Sequence, residues 1–304
     1  MRRQKRLISE LFLLVLAICW VWAVGATSTV FAQSEIKPSF SNLLPEDYLS
    51  KKIGINKTAK HSITKVAGVK TINNAVDIKH IHKPVLPPLK DRPYWPYRKN
   101  VDCAVQKCVA LTFDDGPSAD TGQLLDILKS KNAKATFFVL GLEIVKYPDF
   151  MRRMIAEKHE IGNHTFSHKN FHKITTPQVV DEINRTQDLI FSITGYKSHI
   201  VRPPGGDYKP EDLPHIPFPI VNWNADSLDW KHRDSNVVNG EILGQIKPGS
   251  IVIMHDIYPT SISAVPPIID ALQKQGYTLV TVSELLGWKD PTVPLPNGQI
   301  IRSK

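Results

Sequence analysis

The chain has 304 residues, of which 42% are hydrophobic and 22% charged, and its net charge is +9. These proportions exclude a mostly disordered chain, a collagen-like fibre and a multi-pass membrane protein. Residues 1–32 carry +3 and residues 33–100 carry +8, which leaves −2 on the other 204 residues. A nucleic-acid-binding globular domain is therefore disfavoured, because the part able to fold has no basic surplus to neutralise phosphates.

The N-terminus reads as a targeting segment. Arg2, Arg3, Lys5 and Arg6 precede an apolar run from Leu11 to Ala26, and Val30-Phe31-Ala32 offers small and apolar residues for a peptidase. This is the layout of a secretory signal peptide. The apolar run is shorter than the roughly 20 residues of a spanning helix; an uncleaved anchor is the alternative. Either form implies export, with the product secreted or held at the cell surface. Residues 33–100 are Lys-rich and proline-punctuated, as in Lys83-Pro84-Val85-Leu86-Pro87-Pro88, with no sustained apolar period. They read as an extended stem, serving either as a solvated spacer or as a basic tether to anionic wall polymers or lipid headgroups. Outside the signal segment two cysteines remain, Cys103 and Cys108. In an oxidising compartment they form a short-loop disulfide or stay as two thiols, and a zinc site from this pair alone lacks a second pair of ligands.

Residues 101–288 alternate strands and helices. Val109–Phe113, Ala135–Leu140, Ile220–Trp223 and Ser250–Met254 read as buried strands. Thr121–Lys131, Phe150–Lys158, a long stretch from Pro177 to Gly195, and Pro266–Gln275 read as helices. Repeated β-α units predict a parallel sheet, open or closed into a barrel. Residues 289–304 read as a loose tail.

Polar residues collect where the predicted strands end. Asp114-Asp115-Gly116-Pro117 follows the first; two adjacent carboxylates are costly unless a cation lies between them or their roles differ. His164 and His168, four residues apart, would share one side of a helical turn, a common arrangement for a metal pair. Two imidazoles and a carboxylate from Asp114 or Asp115 make a three-ligand site with open positions, and the other aspartate is left as a base. Arg202-Pro203-Pro204-Gly205-Gly206 places an arginine where it can clamp a carboxylate, and glycines where backbone N–H groups can approach a ligand. Asp226-Ser227-Leu228-Asp229-Trp230 and His255 complete the series. Each motif alone reads as well as a turn or a structural residue. Five of them at five strand ends point to the catalytic face of a β/α barrel.

In order and spacing, Thr112–Pro117, His164–His168, Arg202–Gly205, Asp226–Trp230 and Ile253–His255 resemble the five motifs of the NodB-homology polysaccharide deacetylases, carbohydrate esterase family 4. The resemblance covers residues 108–288 and implies a distorted (β/α)7 barrel. It implies that Asp115, His164 and His168 bind one divalent cation, zinc before cobalt, nickel or manganese. Asp114 would then be the general base held by Arg202, and His255 the general acid tuned by Asp229. Trp230 and Ile253 would wall the acetyl pocket, and the Gly205 N–H would bind the oxyanion. The implied reaction is removal of N-acetyl groups from an N-acetylated cell-wall or extracellular polysaccharide; O-deacetylation of acetylxylan, or glycan binding without catalysis, are the alternatives. Gly205 departs from the usual aromatic and Ile253 from the usual Leu, and the proline-rich segment between Gly206 and Ile220 is too short for a full helix. Oligomeric state leaves no signature in the sequence.

Overall fold

A computed structural model describes Arg98, residues 100–288 and residues 298–304. The expected signal segment, 1–32, and nearly all of the expected stem, 33–100, lie outside the described residues. Strand β1 (Cys108–Asp114) is buried along its whole length. It pairs in parallel with β2 (Ala135–Val139) on one side and β6 (Ile251–His255) on the other. β3 (Glu160–Asn163) extends the sheet beyond β2, β5 (Ala225–Asp226) extends it beyond β6, and β7 (Thr278–Leu279) pairs with the start of β1. Val201 bridges Asn163 of β3 to Ile220 of β4 (Ile220–Val221), and so bends the sheet round towards closure. The result is a distorted barrel of parallel strands, as the motif resemblance implies.

The alternation of residues along β1 decides what fills the barrel. Cys108 and Ala110 pack inward with Phe138, Val221 and Ile251. By strand parity Thr112 and Asp114 face the same way. These inward residues are small, and they leave room for one large side chain. Val109, Leu111 and Phe113 face outward, where Phe113 stacks on Phe137.

The outer layer consists of helices. α1 (Thr121–Ser130) buries Leu124, Leu125 and Leu128. α2 (Gly141–Ile144) is a single turn, and α3 (Pro148–Ala156) starts with its proline in the first turn, where a missing N–H costs nothing. α4 (Thr176–Thr194) has a Thr175/Gln178 capping box and ends at Gly195 in the left-handed region, as its sequence predicts. α5 (Asp229–His232) and α6 (Ser235–Gln245) follow β5. α7 (Pro259–Lys274) is longer than predicted, with Pro266 and Pro267 inside it instead of at its start. Its buried face of Ile262, Val265, Ile268, Ile269 and Leu272 offsets the helix-breaking cost of about 3 kcal/mol per proline. α8 (Val282–Leu286) is fixed by a second capping box, Thr281 with Glu284.

One feature differs from expectation. Of the expected tail, residues 298–304 are described and are not loose: Ile300 and Ile301 make strand β8, which pairs with β4, and the Lys304 N–H donates to the Gly249 carbonyl. Two isoleucines in a short polar stretch gave too weak a pattern to read as a strand. The segment after Gly206 holds only a 3-10 turn, Pro210–His215, in keeping with its prolines. Cys103 and Cys108 are joined in a disulfide that ties the incoming chain to the start of β1. Among the described residues no helix is long and apolar enough to cross a membrane.

Candidate active site

β1 delivers two carboxylates to one place because the strand stops between them. Asp114 ends the strand, and Asp115 takes the left-handed conformation with φ 72°. Had the strand continued, the two side chains would face opposite ways. The change of direction falls at Asp115 itself, a strained position of the kind found at functional sites. Gly116 is required for space, since a Cβ there would lie 2.1 Å from Asp256 Oδ1.

His164 and His168 are not on a helical turn. β3 ends at Asn163, and a loop follows in which Thr165 (φ 74°) and His168 (φ 57°) are both left-handed. The Asn163 side chain holds the loop by accepting from the Thr165 N–H at 2.9 Å. The spacing correctly joined the two rings, with centroids 5.1 Å apart, but through a loop geometry that periodicity does not encode.

Three potential ligand atoms converge here. Asp115 Oδ1 lies 3.4 Å from His164 Nε2 and 3.3 Å from His168 Nε2, and the ligand atoms of all three residues lie within 4.8 Å of one another. The His164 Nδ1–H donates to the Arg202 carbonyl at 2.7 Å, which leaves Nε2 with its lone pair facing the carboxylate. Asp115 Oδ1 is buried without a hydrogen-bond donor. Acceptors that face one another in a buried site call for a positive charge between them. Burial pushes the Asp115 carboxyl up, yet the neighbouring His164, His168 and His255 hold it at about 2. Burial also opposes a charge on His164, but Asp114 and Asp115 outweigh it and raise its pKa. The donor set, two imidazole nitrogens and one carboxylate oxygen, suits a divalent transition metal with positions left open.

Arg202 fills the barrel beside this cluster and is fully buried. Its Nη1 donates to Asp114 Oδ1 and to Thr112 Oγ1, each at 2.7 Å. Its Nε donates to the Val221 carbonyl at 2.7 Å and its Nη2 to the Asn222 carbonyl at 3.2 Å. The guanidinium stacks 4.0 Å from the Phe138 ring centroid. Asp114 is thus held through one oxygen, while Oδ2 points towards the cluster, 3.7 Å from His164 Nε2.

The opposite flank is built on β6. The β1–β6 register sets Thr112 beside Ile253 and Asp114 beside His255, at the same height in the barrel. The His255 Nδ1–H donates to Asp229 Oδ1 at 2.7 Å, and the His255 backbone N–H donates to Asp229 Oδ2 at 2.8 Å. Ser261 Oγ donates to the same Oδ2 at 2.6 Å. Burial would lower the His255 pKa, but Asp229 raises it to about 9, with smaller help from Asp114 and Asp115. Burial raises the Asp229 carboxyl, and its bonds to His255 and Ser261 bring it below the ordinary value.

The sequence of residues 102–213 matches the family model for polysaccharide deacetylase. A peptidoglycan-N-acetylglucosamine deacetylase of Listeria monocytogenes is 40% identical over 184 residues, which is 60% of this chain and 40% of that protein. A peptidoglycan-N-acetylglucosamine deacetylase of Bacillus cereus is 36% identical over 185 residues, covering 58% of this chain and 67% of the relative. The solved structure of the peptidoglycan deacetylase PdaC from Bacillus subtilis superposes with a TM-score of 0.60 at 42% identity, over 62% of this chain and 94% of that one. The chain belongs to the polysaccharide deacetylase family. It spans about 40% of the length of the Listeria relative.

Within this deacetylase fold the remaining residues marked by the sequence differ in burial. Trp230 is 53% exposed, whereas Ile253 is buried on the same face of β6 as His255. Gly205 is exposed, with φ 67° and nothing within 4 Å of where a Cβ would sit. Sequence reasoning missed the supports. Thr112, at the start of the first motif, accepts from Arg202 and donates to the Val252 carbonyl at 2.6 Å. Ser261 lies 32 residues beyond Asp229 and carries no local signal. Asp256, next to His255, is buried; its Oδ2 accepts from Thr121 Oγ1 at 2.6 Å, and burial lifts its pKa to about 7.

Proposed function

We propose that the protein is a metal-dependent hydrolase that removes N-acetyl groups from N-acetylglucosamine-type residues of a cell-wall polysaccharide and releases acetate. The observation that carries this reading is the convergence of Asp115 Oδ1 with two histidine Nε2 atoms, none of them committed to another donor, between the Arg202–Asp114 and Asp229–His255 pairs. Asp115, His164 and His168 hold the cation. What a divalent cation supplies there is positive charge that acidifies a water molecule and polarises the acetamide carbonyl.

Every other step belongs to this chain's side chains. Asp114 takes the proton of the attacking water on Oδ2, while Arg202 fixes Oδ1 and so the direction of the free oxygen. The Gly205 N–H donates to the carbonyl oxygen as it gains charge; one such donor is typically worth roughly 3–4 kcal/mol. His255, whose Nδ1–H is held by Asp229, gives its Nε2 proton to the amine as the C–N bond breaks. Water adds to the acyl carbon, and the products are acetate and the free amino sugar. Trp230 and Ile253 border the acetyl group. Residues 1–32 would export the chain, and residues 33–100 would space the catalytic domain, 101–288, from the membrane or wall. Similarity to peptidoglycan deacetylases supports a wall glycan as substrate.

Acetate release from N-acetylglucosamine oligomers, peptidoglycan and acetylxylan, with and without chelator, tests the reading. Chelator-sensitive release from the first two is expected. Preference for acetylxylan would support O-deacetylation, and silence on all three with zinc bound would support glycan binding alone.

A further inference from the structure

Among the described residues five arginines are paired with carboxylates: Arg98 with Glu284, Arg152 with Asp149, Arg153 with Asp126 and Glu157, Arg185 with Asp181, and Arg202 with Asp114. Arg233 is held differently. It is exposed, and its guanidinium lies 3.1 Å from the ring centroid of Tyr258, whose ring is 5.7 Å from that of His255. Its backbone N–H donates to the carbonyl of Asp229, the partner of His255. Arg233 is therefore fixed to the acid side of the site through both backbone and side chain, while its guanidinium has no carboxylate partner among the described residues.

The acids around it are engaged elsewhere. Asp229 is bound to His255 and Ser261. Asp226 accepts from Leu228 N–H and Trp223 Nε1. Asp234 accepts from the Asn236 and Val237 N–H groups at the start of α6. Lys231 and His232, in the same turn, are exposed as well. The side of the site beside His255 thus carries a guanidinium without a carboxylate partner among the described residues, and that group is preorganised by Tyr258. A guanidinium stacked on an aromatic face keeps its in-plane N–H fork for a carboxylate, which it binds through two parallel hydrogen bonds.

We propose that Arg233, stacked on Tyr258, forms a carboxylate-binding subsite that favours glycan residues carrying an acidic substituent next to the reacting sugar. This deepens the deacetylase reading and rests on it. On an N-acetylated amino-sugar polymer, such a carboxylate belongs either to a lactyl ether on the sugar or to a peptide attached through that ether. Both present the same chemistry to Arg233.

The test uses the zinc-loaded full chain and three synthetic oligosaccharides with the same N-acetylated backbone: one bearing the lactyl ether as the free acid, one as its methyl ester, and one as the L-alanyl amide with a free terminal carboxylate. Acetate release at low salt should give a kcat/KM about tenfold higher for a carboxylate-bearing substrate than for the methyl ester. Whichever of the two acids is preferred identifies the source of the carboxylate. Arg233→Gln, folded by circular dichroism, should bring the acid-to-ester ratio close to one; Arg233→Lys should restore part of it, and high salt should shrink it in the wild type. Equal rates on acids and ester in the wild type, or a ratio that survives Arg233→Gln, would overturn the proposal. Absence of acetate from all three substrates would instead refute the deacetylase reading beneath it.

Discussion

Replacing Asp229 by Asn separates the two roles assigned to the Asp229–His255 pair. Asparagine keeps one acceptor oxygen for the His255 and Ser261 donors but removes the charge. His255 is raised from 6.5 to about 9, mainly by Asp229 working against burial. That difference is worth roughly 3 kcal/mol in favour of the protonated ring. Without the carboxylate, burial is the dominant remaining influence, and the pKa falls back to its ordinary value or below. At pH 7 the protonated fraction then drops from nearly all to about a quarter or less. The sign for activity follows: a general acid works while protonated, so the wild-type rate should hold up to the alkaline range and decline as pH rises through about 9. In Asp229→Asn the decline should begin near neutrality. The stability linkage has the same sign: a raised histidine pKa contributes stability that is fully present below about 6.5 and is lost as pH rises through about 9. The assay is the pH profile of kcat/KM for acetate release by both proteins, with zinc saturating. An alkaline limb that stays in place in Asp229→Asn would refute the assignment of His255 as the acid.

Asp114→Asn should abolish turnover while divalent-cation affinity, measured by calorimetry, stays close to wild type; full activity would refute the assignment of the base. His168→Ala should remove one of three ligand atoms and weaken cation binding by at least an order of magnitude in the same titration. Arg202→Met leaves Asp114 buried without its cation and should destabilise the domain by about 3–5 kcal/mol in urea unfolding. Replacing Cys103 and Cys108 together by Ser opens a short loop and should cost about 2 kcal/mol, read as a lower urea midpoint at unchanged acetate release.

Sequence patterns revealed the strands that run through the interior because apolar, β-branched runs have few other uses. The chemistry showed because carboxylates, imidazoles and an arginine at strand exits are expensive to bury and so stand out from core patterning. The conformations that aim them did not show. The left-handed turn at Asp115 and the loop from His164 to His168 depend on long-range contacts: Gly116 against Asp256, and the His164 N–H on the Val139 carbonyl. Short elements escaped for a related reason. β5 and β8 have two residues each, too few for any period, and exist because a neighbouring strand presents free carbonyls and N–H groups. α6 buries only Val238 and Ile242, so its apolar face is nearly invisible in the sequence.

One chain of contacts joins packing to chemistry and can be tested apart from any acid–base group. Gly162 sits in β3 beside Phe138 of β2; a Cβ there would lie 2.4 Å from two atoms of the Phe138 ring. That ring is fully buried and is the surface on which Arg202 stacks. Arg202 in turn sets Asp114. Gly162→Ala therefore cannot be absorbed by a flexible side-chain tip. The ring must move into the space of the guanidinium, with an overpacking cost of about 1–3 kcal/mol. The lost activity should exceed the lost stability: kcat should fall more than tenfold at a temperature where the variant is fully folded, because a displacement of the base of about 1 Å is enough for such a loss. Combining Gly162→Ala with Phe138→Leu should recover stability by relieving the clash without recovering kcat, since the stacking face is gone. The two changes should be strongly non-additive in stability, as touching residues are. If Gly162→Ala were destabilised but kept its kcat, Phe138 would be packing only, and the position of Asp114 would have to be fixed by Thr112 and the end of β1 without the aromatic support.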